Sequence, residues 1–484
     1  MIIKAMKEKN KFILTSITFI SLTVLYNKYL FNPPYWDAIQ GAFYQALWLL
    51  KNNFNYIKLY HEPGYLSGGA NIYYLNILPF FYAVLYKLFS PLTIFFILHI
   101  LNILCSSIII VLFYILSRKY LSRLNSTLFC VACLSNPIFS SQTATINMEL
   151  FLGMGFAFSL YYFNENKIGY AAIWCVISYF FKSTAIVLSI TYAAFVTIKY
   201  FSDKIILKKR FENKLFILIT PFILISFLSL LTNDSGNYLN TDIRILDFLI
   251  RFKSEIRNHF PSIGITLIIF SVLIVINIFK RILNNVFLNL LIIFIIGFIG
   301  AYLFCFYPLP RYITSIIFPL FLTLGLLLKF YPKCLSLIYV LVIIYNCIGY
   351  NGRFLPALHP YASRAGGNLE RSWEFMADLE SNINICNFLE NKYFESKIGV
   401  TKVFYFMLTN AELGYVCKPL PNIFLLSDNF FDNFKLNNSF ENDTLFLYAP
   451  HYQTIPELNK NTKFIFIDKS LKGTPVFLFK QNKI

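Results

Sequence analysis

Apolar runs of about 20 residues recur through the first 350 positions of the chain, with short polar segments between them. A helix of that length crosses the hydrocarbon core of a bilayer. The runs cover residues 12–31, 92–116, 126–145, 149–163, 168–181, 184–198, 215–231, 262–279, 286–304, 312–328 and 334–350. This pattern predicts a polytopic α-helical membrane protein with about eleven transmembrane helices.

One further apolar run, residues 72–89, decides the predicted topology. If it does not cross the membrane, fourteen Lys and Arg residues of the later loops lie on the cytoplasmic side and six lie opposite. If it crosses, the two sets exchange sides, against the positive-inside rule. Tyrosines and Pro79 suit a segment that lies in the interface. We therefore predict a cytoplasmic N-terminus and an extracytoplasmic C-terminus in a plasma or inner membrane.

Two regions outside the predicted spans have patterns of their own. In the first outer loop, residues 32–91, apolar positions recur at helical spacing over 38–50 and predict an amphipathic helix at the membrane surface. From Asn351 onward the pattern changes to a helix over 369–394, followed by short apolar strands at 403–407, 423–426, 445–448, 464–467 and 476–479. We predict a transmembrane domain over 1–350 and an extracytoplasmic α/β domain over 351–484.

Composition supports this division and removes two alternatives. Charged residues make up 14% of the chain, against about 25% in soluble proteins, and the mean hydropathy is +0.59. A soluble globular enzyme is therefore excluded. The net charge of +18 comes from Lys and Arg in short loops between apolar runs, which indicates positive-inside topology and not a nucleic-acid partner.

Cysteine usage adds one open question. Seven of the nine cysteines fall in apolar stretches, and only Cys386 and Cys417 lie in the polar tail. These two could pair if the tail faces an oxidising compartment, and the sequence leaves that open.

Four ionisable residues stand at predicted membrane boundaries on the outer side, where a charge is costly to bury. Asp37 comes just before the amphipathic helix, and Glu149 opens an apolar run. Asp37 also suits a helix N-cap, and Glu149 a favourable place at a helix N-terminus. Lys182 and Arg311 border later runs. Each could hold a lipid phosphate or could simply anchor a helix end at the interface.

These residues, in this order, resemble the polyprenyl-phosphate-sugar-dependent glycosyltransferases of the GT-C fold. The likeness is to the family 39-like group of protein mannosyltransferases and aminoarabinose transferases. The matching motifs are Pro33-Pro34-Tyr35-Trp36-Asp37, Asn147-Met148-Glu149-Leu150-Phe151, Phe181-Lys182-Ser183-Thr184 and Pro310-Arg311-Tyr312. The chain departs from the family in two places: Ala38 follows the first acid, and His61-Glu62-Pro63 stands where the family has Lys-Pro-Pro.

The resemblance implies an inverting transfer of sugar from a polyprenyl phosphate to an extracytoplasmic glycan, lipid or protein of the cell envelope, such as a lipopolysaccharide. It implies Asp37 as general base, Glu149 as a second catalytic carboxylate that orients the acceptor or shares the base role, and Lys182 and Arg311 as phosphate-binding residues. Four residues are candidate substrate contacts: Trp36, His61, Glu62 and Tyr312. We expect no metal-ligand set, and the sequence leaves a divalent-metal requirement open.

Two other functions fit parts of the pattern. A transporter or flippase for lipid-linked saccharides would explain the spans and the basic edge residues, but not a folded tail or acids in outer loops. Such proteins also tend to have internal repeats, and we find none. A polysaccharide polymerase or ligase would use the same donors, but we expect it to have a large outer loop in mid-chain.

Overall fold

The computed structural model describes residues 2–35, 38–61, 76–206, 210–231, 271, 285–304, 310–347, 374–426, 445–448, 462–468 and 476–481. The described part is mostly helical. Its α-helices in the first 350 residues are α1 Ile2–Tyr26, α2 Tyr44–Lys51, α3 Tyr56–His61, α4 Leu78–Leu88, α5 Pro91–Arg118, α6 Arg123–Ser135, α7 Pro137–Thr143, α8 Glu149–Asn164, α9 Ile168–Phe181, α10 Ile186–Phe201, α11 Thr220–Leu231, α12 Val286–Phe304, α13 Ile317–Leu327 and α14 Pro332–Tyr345.

Three helical stretches of the described part are long and apolar enough to cross a bilayer: Pro91–Arg118, Ser183–Lys204 and Val286–Leu303. Shorter apolar helices accompany them at Leu78–Leu88, Ile168–Phe181, Asn213–Leu228, Arg311–Leu327 and Pro332–Tyr345. The apolar helices fit an integral membrane protein. The count of about eleven spans and the orientation of the two termini stay predictions.

Local sequence explains where several helices begin. Pro91, Pro137 and Pro332 each occupy the first position of a helix, where a residue with a fixed φ and no N–H is favoured. The Asn136 side chain caps α7 by accepting a hydrogen bond from the Ile138 N–H at 3.0 Å. The apolar run 126–145 is therefore two helices, α6 and α7, because Asn136-Pro137 ends one and starts the next.

The helices form one apolar core in which α8 packs against both α5 and α9. Aromatic rings fill its centre: Phe318 lies 5.0 Å from Phe139, 5.3 Å from Phe113 and 5.9 Å from Phe129, centroid to centroid. The core holds α8 and α9 in place. Glu149 begins α8 and Lys182 follows the end of α9, so the packing of these helices brings the two charged side chains together.

The tail contains helices α15 Glu374–Lys392 and α16 Lys402–Thr409 and a five-stranded sheet. The strands are β1 Ile398–Val400, β2 Ile423–Leu425, β3 Leu445–Tyr448, β4 Thr462–Asp468 and β5 Val476–Gln481, in the spatial order β2-β1-β3-β5-β4. Strand β1 pairs in parallel with β2 and β3, and β5 pairs antiparallel with β3 and β4. Cys386 is buried and Cys417 is exposed, and both thiols are free.

One segment of the tail differs from expectation. Residues 403–407 carry aromatic and β-branched side chains that predict a strand, but they lie in helix α16. Phe404, Met407 and Leu408 are buried there, at the spacing of one helix face. Burial of that face therefore outweighs the local strand preference.

Candidate active site

Glu149 is the first residue of α8, and its side chain is only 1% exposed. The four leading N–H groups of a helix have no partner within the helix, so an acidic residue in the first turn is electrostatically favoured. A buried carboxylate also needs a cation, because an unpaired charge in the interior is costly. Two cations reach it from other elements.

Lys182 supplies the first cation. It stands at the break between α9 and the short 3₁₀ helix Ser183–Ala185, with an extended backbone (φ −158°, ψ 135°). Its ammonium group forms an ion pair with Glu149 Oε1. The Lys182 side chain is 12% exposed. The pair therefore joins the start of α8 to the end of α9.

Arg311 supplies the second cation from the 3₁₀ helix Pro310–Ile316, which packs against α8. Arg311 Nε lies 3.4 Å from Glu149 Oε1, and the arginine side chain is 7% exposed. Both cations therefore meet the same carboxylate oxygen. Glu149 Oε2 is buried and has no hydrogen-bond partner among the residues that the structure describes.

The ring of Tyr312 forms one wall beside the cations. Lys182 Nζ lies 4.0 Å from its centroid, and Arg311 Cζ lies 5.3 Å from it. Cations within about 6 Å of an aromatic face are attracted by the electron density of the ring. Tyr312 thus helps to keep two like charges close together.

Among the side chains that the structure describes here, two cations face one carboxylate in a mostly buried place. An arginine fork and a lysine ammonium are the side chains that bind phosphate oxygens most readily. The cluster can therefore accept an anion such as a phosphate. Within the described ranges, no three His, Cys, Asp or Glu side chains lie together as a metal site would need.

The structure brings together Glu149, Lys182, Arg311 and Tyr312 of the eight residues singled out in the sequence. Trp36, Asp37 and Glu62 lie outside the described residues. His61 is the last residue of α3. The roles assigned to all eight stay predictions.

Sequence reasoning missed a polar face on α5. His99, Asn102 and Ser106 are buried at helical spacing in an otherwise apolar helix. His99 Nε2 lies 3.1 Å from the Asn32 carbonyl oxygen, and Asn102 donates to the Thr145 carbonyl. The spacing of three and four residues inside a long apolar run is the signal that could have identified them.

Comparison with solved structures matches the chain to the crystal structure of ArnT from Cupriavidus metallidurans bound to undecaprenyl phosphate. The alignment covers 96% of this chain and 97% of that one, at a TM-score of 0.52 and 11% sequence identity. No protein-family model matches the chain, and no curated protein matches it in sequence. The likeness to ArnT shows the fold, and it confirms the resemblance to GT-C proteins in architecture.

Proposed function

We propose that this protein is an integral membrane glycosyltransferase that moves a sugar from a polyprenyl phosphate to an acceptor on the outer face of the membrane. The observation that carries the proposal is the buried meeting of Lys182 and Arg311 on one oxygen of Glu149. The fold of ArnT, solved with undecaprenyl phosphate, supports a donor of this chemical class. The N-terminus would be cytoplasmic and the tail extracytoplasmic.

The cations act on the leaving group. In the donor, the phosphate joins the sugar to the lipid and carries one negative charge. When the bond between the sugar C1 and the phosphate oxygen breaks, the departing monoester gains a further charge. Lys182 and Arg311, fixed in place by the fold, stabilise that growing charge without reorganisation.

Asp37 is the proposed base for the acceptor. Its carboxylate takes the proton from the acceptor hydroxyl as the hydroxyl oxygen bonds to C1. The sugar is thereby transferred with inversion of configuration at C1. General-base catalysis of this kind contributes about 10²–10⁴-fold in rate. Trp36, His61, Glu62 and Tyr312 are proposed to contact the sugar or the acceptor.

Glu149 is proposed to have two successive roles. In the substrate-free protein its carboxylate is the counter-charge that Lys182 and Arg311 share. A phosphate that enters between Lys182 and Arg311 competes for the same donors, which releases the carboxylate to orient the acceptor or to share the base role. Its unpartnered Oε2, within the described structure, suits a group that exchanges partners.

The test uses purified protein in nanodiscs, undecaprenyl phosphate carrying a radiolabelled sugar, and an envelope extract as the acceptor source. We expect free undecaprenyl phosphate only when the extract is present, with the label moving to the acceptor. Movement of the lipid between leaflets without its release would instead favour a flippase. Growth of a polymer on the donor lipid would favour a polymerase.

A matched pair of variants ties the activity to the site. Lys182→Met removes a proposed phosphate ligand at the end of α9 and should lower transfer at least tenfold. Lys167→Met removes an exposed lysine just before the same helix, 5.6 Å from the Tyr162 ring centroid. It should leave transfer unchanged. Equal activity of the two variants would contradict the assignment of Lys182.

A further inference from the structure

The backbone just before Asp37 is held from two sides. Residues 32–35 have no helix or strand of their own, and Pro33 and Pro34 are buried. Prolines have no N–H, so the segment can be fixed mainly through its carbonyl groups. His99 on α5 meets the Asn32 carbonyl at 3.1 Å, and the Tyr415 hydroxyl donates to the Pro34 carbonyl at 2.7 Å.

Tyr415 belongs to the tail and stands 381 positions from Pro34 in the chain. It is 1% exposed. Burial raises the pKa of its hydroxyl well above the usual value, so the group keeps its proton and its bond to the carbonyl is a donated one. This bond attaches the tail to Pro34, which precedes the proposed base Asp37 by three positions in the sequence.

The neighbours of Tyr415 fix its position. Gly414 has φ +78°, and a Cβ there would come within 2.5 Å of the Phe95 ring. The backbone therefore approaches the start of α5 as closely as only glycine allows. Further contacts join the tail to the first loop: the Tyr86 hydroxyl donates to the Glu412 carbonyl at 2.9 Å, and the Tyr44 and Phe406 rings lie 4.4 Å apart.

We infer that Tyr415 is a positioning residue for sugar transfer: through the Pro34 carbonyl it sets the place of the segment that leads into Asp37. The inference rests on the proposed function for the role of Asp37. It makes the tail part of the frame of the active site, because one of the hydrogen bonds that hold this segment comes from the tail.

The test compares Tyr415→Phe with Tyr86→Phe. Each removes one hydroxyl that donates across the same interface, but only Tyr415 bonds the 32–35 segment. We expect Tyr415→Phe to lower kcat about tenfold, since small displacements of a catalytic group have effects of that size or larger. KM for the lipid donor should stay within about twofold, because Lys182 and Arg311 lie on other elements. Tyr86→Phe should have the same kcat and the same KM for the lipid donor as the wild-type protein.

Hydrogen–deuterium exchange supplies a readout that does not depend on turnover. Amides of residues 35–43 should exchange faster in Tyr415→Phe than in the wild-type protein or in Tyr86→Phe, while exchange in α8 stays the same. Unchanged exchange at 35–43 would overturn the inference, and so would an unchanged kcat. A wild-type protein that transfers no sugar would defeat the proposed function, and the exchange data alone would then decide whether Tyr415 holds the segment.

Discussion

A single carboxylate oxygen of Glu149 serves two cations in the candidate site. Lys182 pairs with that oxygen directly, and Arg311 Nε approaches it at 3.4 Å. The pairing is a stable resting arrangement for three buried charges, since each cation without a counter-charge would be costly there. It is also an arrangement that an incoming phosphate can replace, because the phosphate offers oxygens to the same donors.

This arrangement predicts opposite effects of Glu149→Gln on the empty and the occupied protein. Without the carboxylate, Lys182 and Arg311 lose the negative charge that they share at Glu149, and the empty variant should lose about 3 kcal/mol of stability. Added undecaprenyl phosphate should then raise its melting temperature more than that of the wild-type protein, because the Glu149 carboxylate no longer competes. Thermal unfolding in detergent with and without the lipid measures both effects.

A surface ion pair provides the control. Glu165 pairs with Lys119, and their side chains are 30% and 37% exposed. Glu165→Gln should cost at most about 1 kcal/mol, as exposed pairs do, and should leave the response to the lipid unchanged. A smaller lipid-induced shift in Glu149→Gln than in the wild-type protein would contradict competition between carboxylate and phosphate.

Asp37→Asn tests the proposed base. The amide keeps the size of the side chain but cannot take a proton, so transfer should fall to background while membrane insertion and donor binding persist. Release of polyprenyl phosphate and binding of the labelled donor are measured on the same preparation. Wild-type turnover in this variant would remove Asp37 from the mechanism.

The sequence identifies the charged residues of the cluster but not their pairing. Glu149, Lys182 and Arg311 stand out because a charge beside an apolar run is costly to bury and so is rarely incidental. Nothing in the sequence shows that positions this far apart share one oxygen. Tyr415 carries no such signal, since it is one of 33 tyrosines in an apolar, aromatic-rich chain.

Among the helices, the close contact of α8 and α9 bears directly on the site. Glu149 starts α8, and Lys182 follows the end of α9. Between them, Gly155 of α8 faces Ser178 of α9, and a Cβ on Gly155 would lie 3.1 Å from the Ser178 Cβ. Small residues let two helix backbones approach in a membrane. The absence of a side chain at position 155 therefore allows the close approach of the two helices that carry the ion pair.

Gly155→Ala should separate the two helices. We expect a loss of about 1–3 kcal/mol in stability, as for an extra methyl group in a packed core, together with reduced transfer. Gly169→Ala is the matched control, because nothing lies within 4 Å of its added Cβ, and it should be neutral or slightly stabilising. The double variant Gly155→Ala/Ser178→Gly should regain part of the loss. Equal melting temperatures for the two single variants would argue against the close contact.

The sequence predicts a helix correctly where the length of an apolar run is enough to indicate one. The run 168–181 was expected as a helix and is helix α9, with the same bounds. Prediction failed where local preference and packing disagree, as in residues 403–407, which form helix α16. It also merged α6 and α7, because periodicity alone does not show that Asn136-Pro137 both ends and starts a helix.

At the scale of the whole molecule, the tail and the first loop form a shared boundary. Tyr415, Glu412 and Phe406 of the tail contact Pro34, Tyr86 and Tyr44 of the loop region. These contacts require that the tail and the loop lie on the same side of the membrane. The positive-inside count predicts that this side is outside the cytoplasm.

Cysteine labelling tests this placement. Cys417 is exposed and Cys386 is buried, and burial raises the pKa of the Cys386 thiol, which keeps it protonated and unreactive near neutral pH. In a variant that retains only Cys417, a membrane-impermeant maleimide should label intact cells. A variant that retains only Cys386 should be labelled only after denaturation, which shows that the reagent reports exposure.

If Cys417 reacts only after the membrane is opened, the tail is cytoplasmic. Because the tail contacts the first loop, that loop and Asp37 would then also lie on the cytoplasmic side. An extracytoplasmic acceptor could not be reached from there.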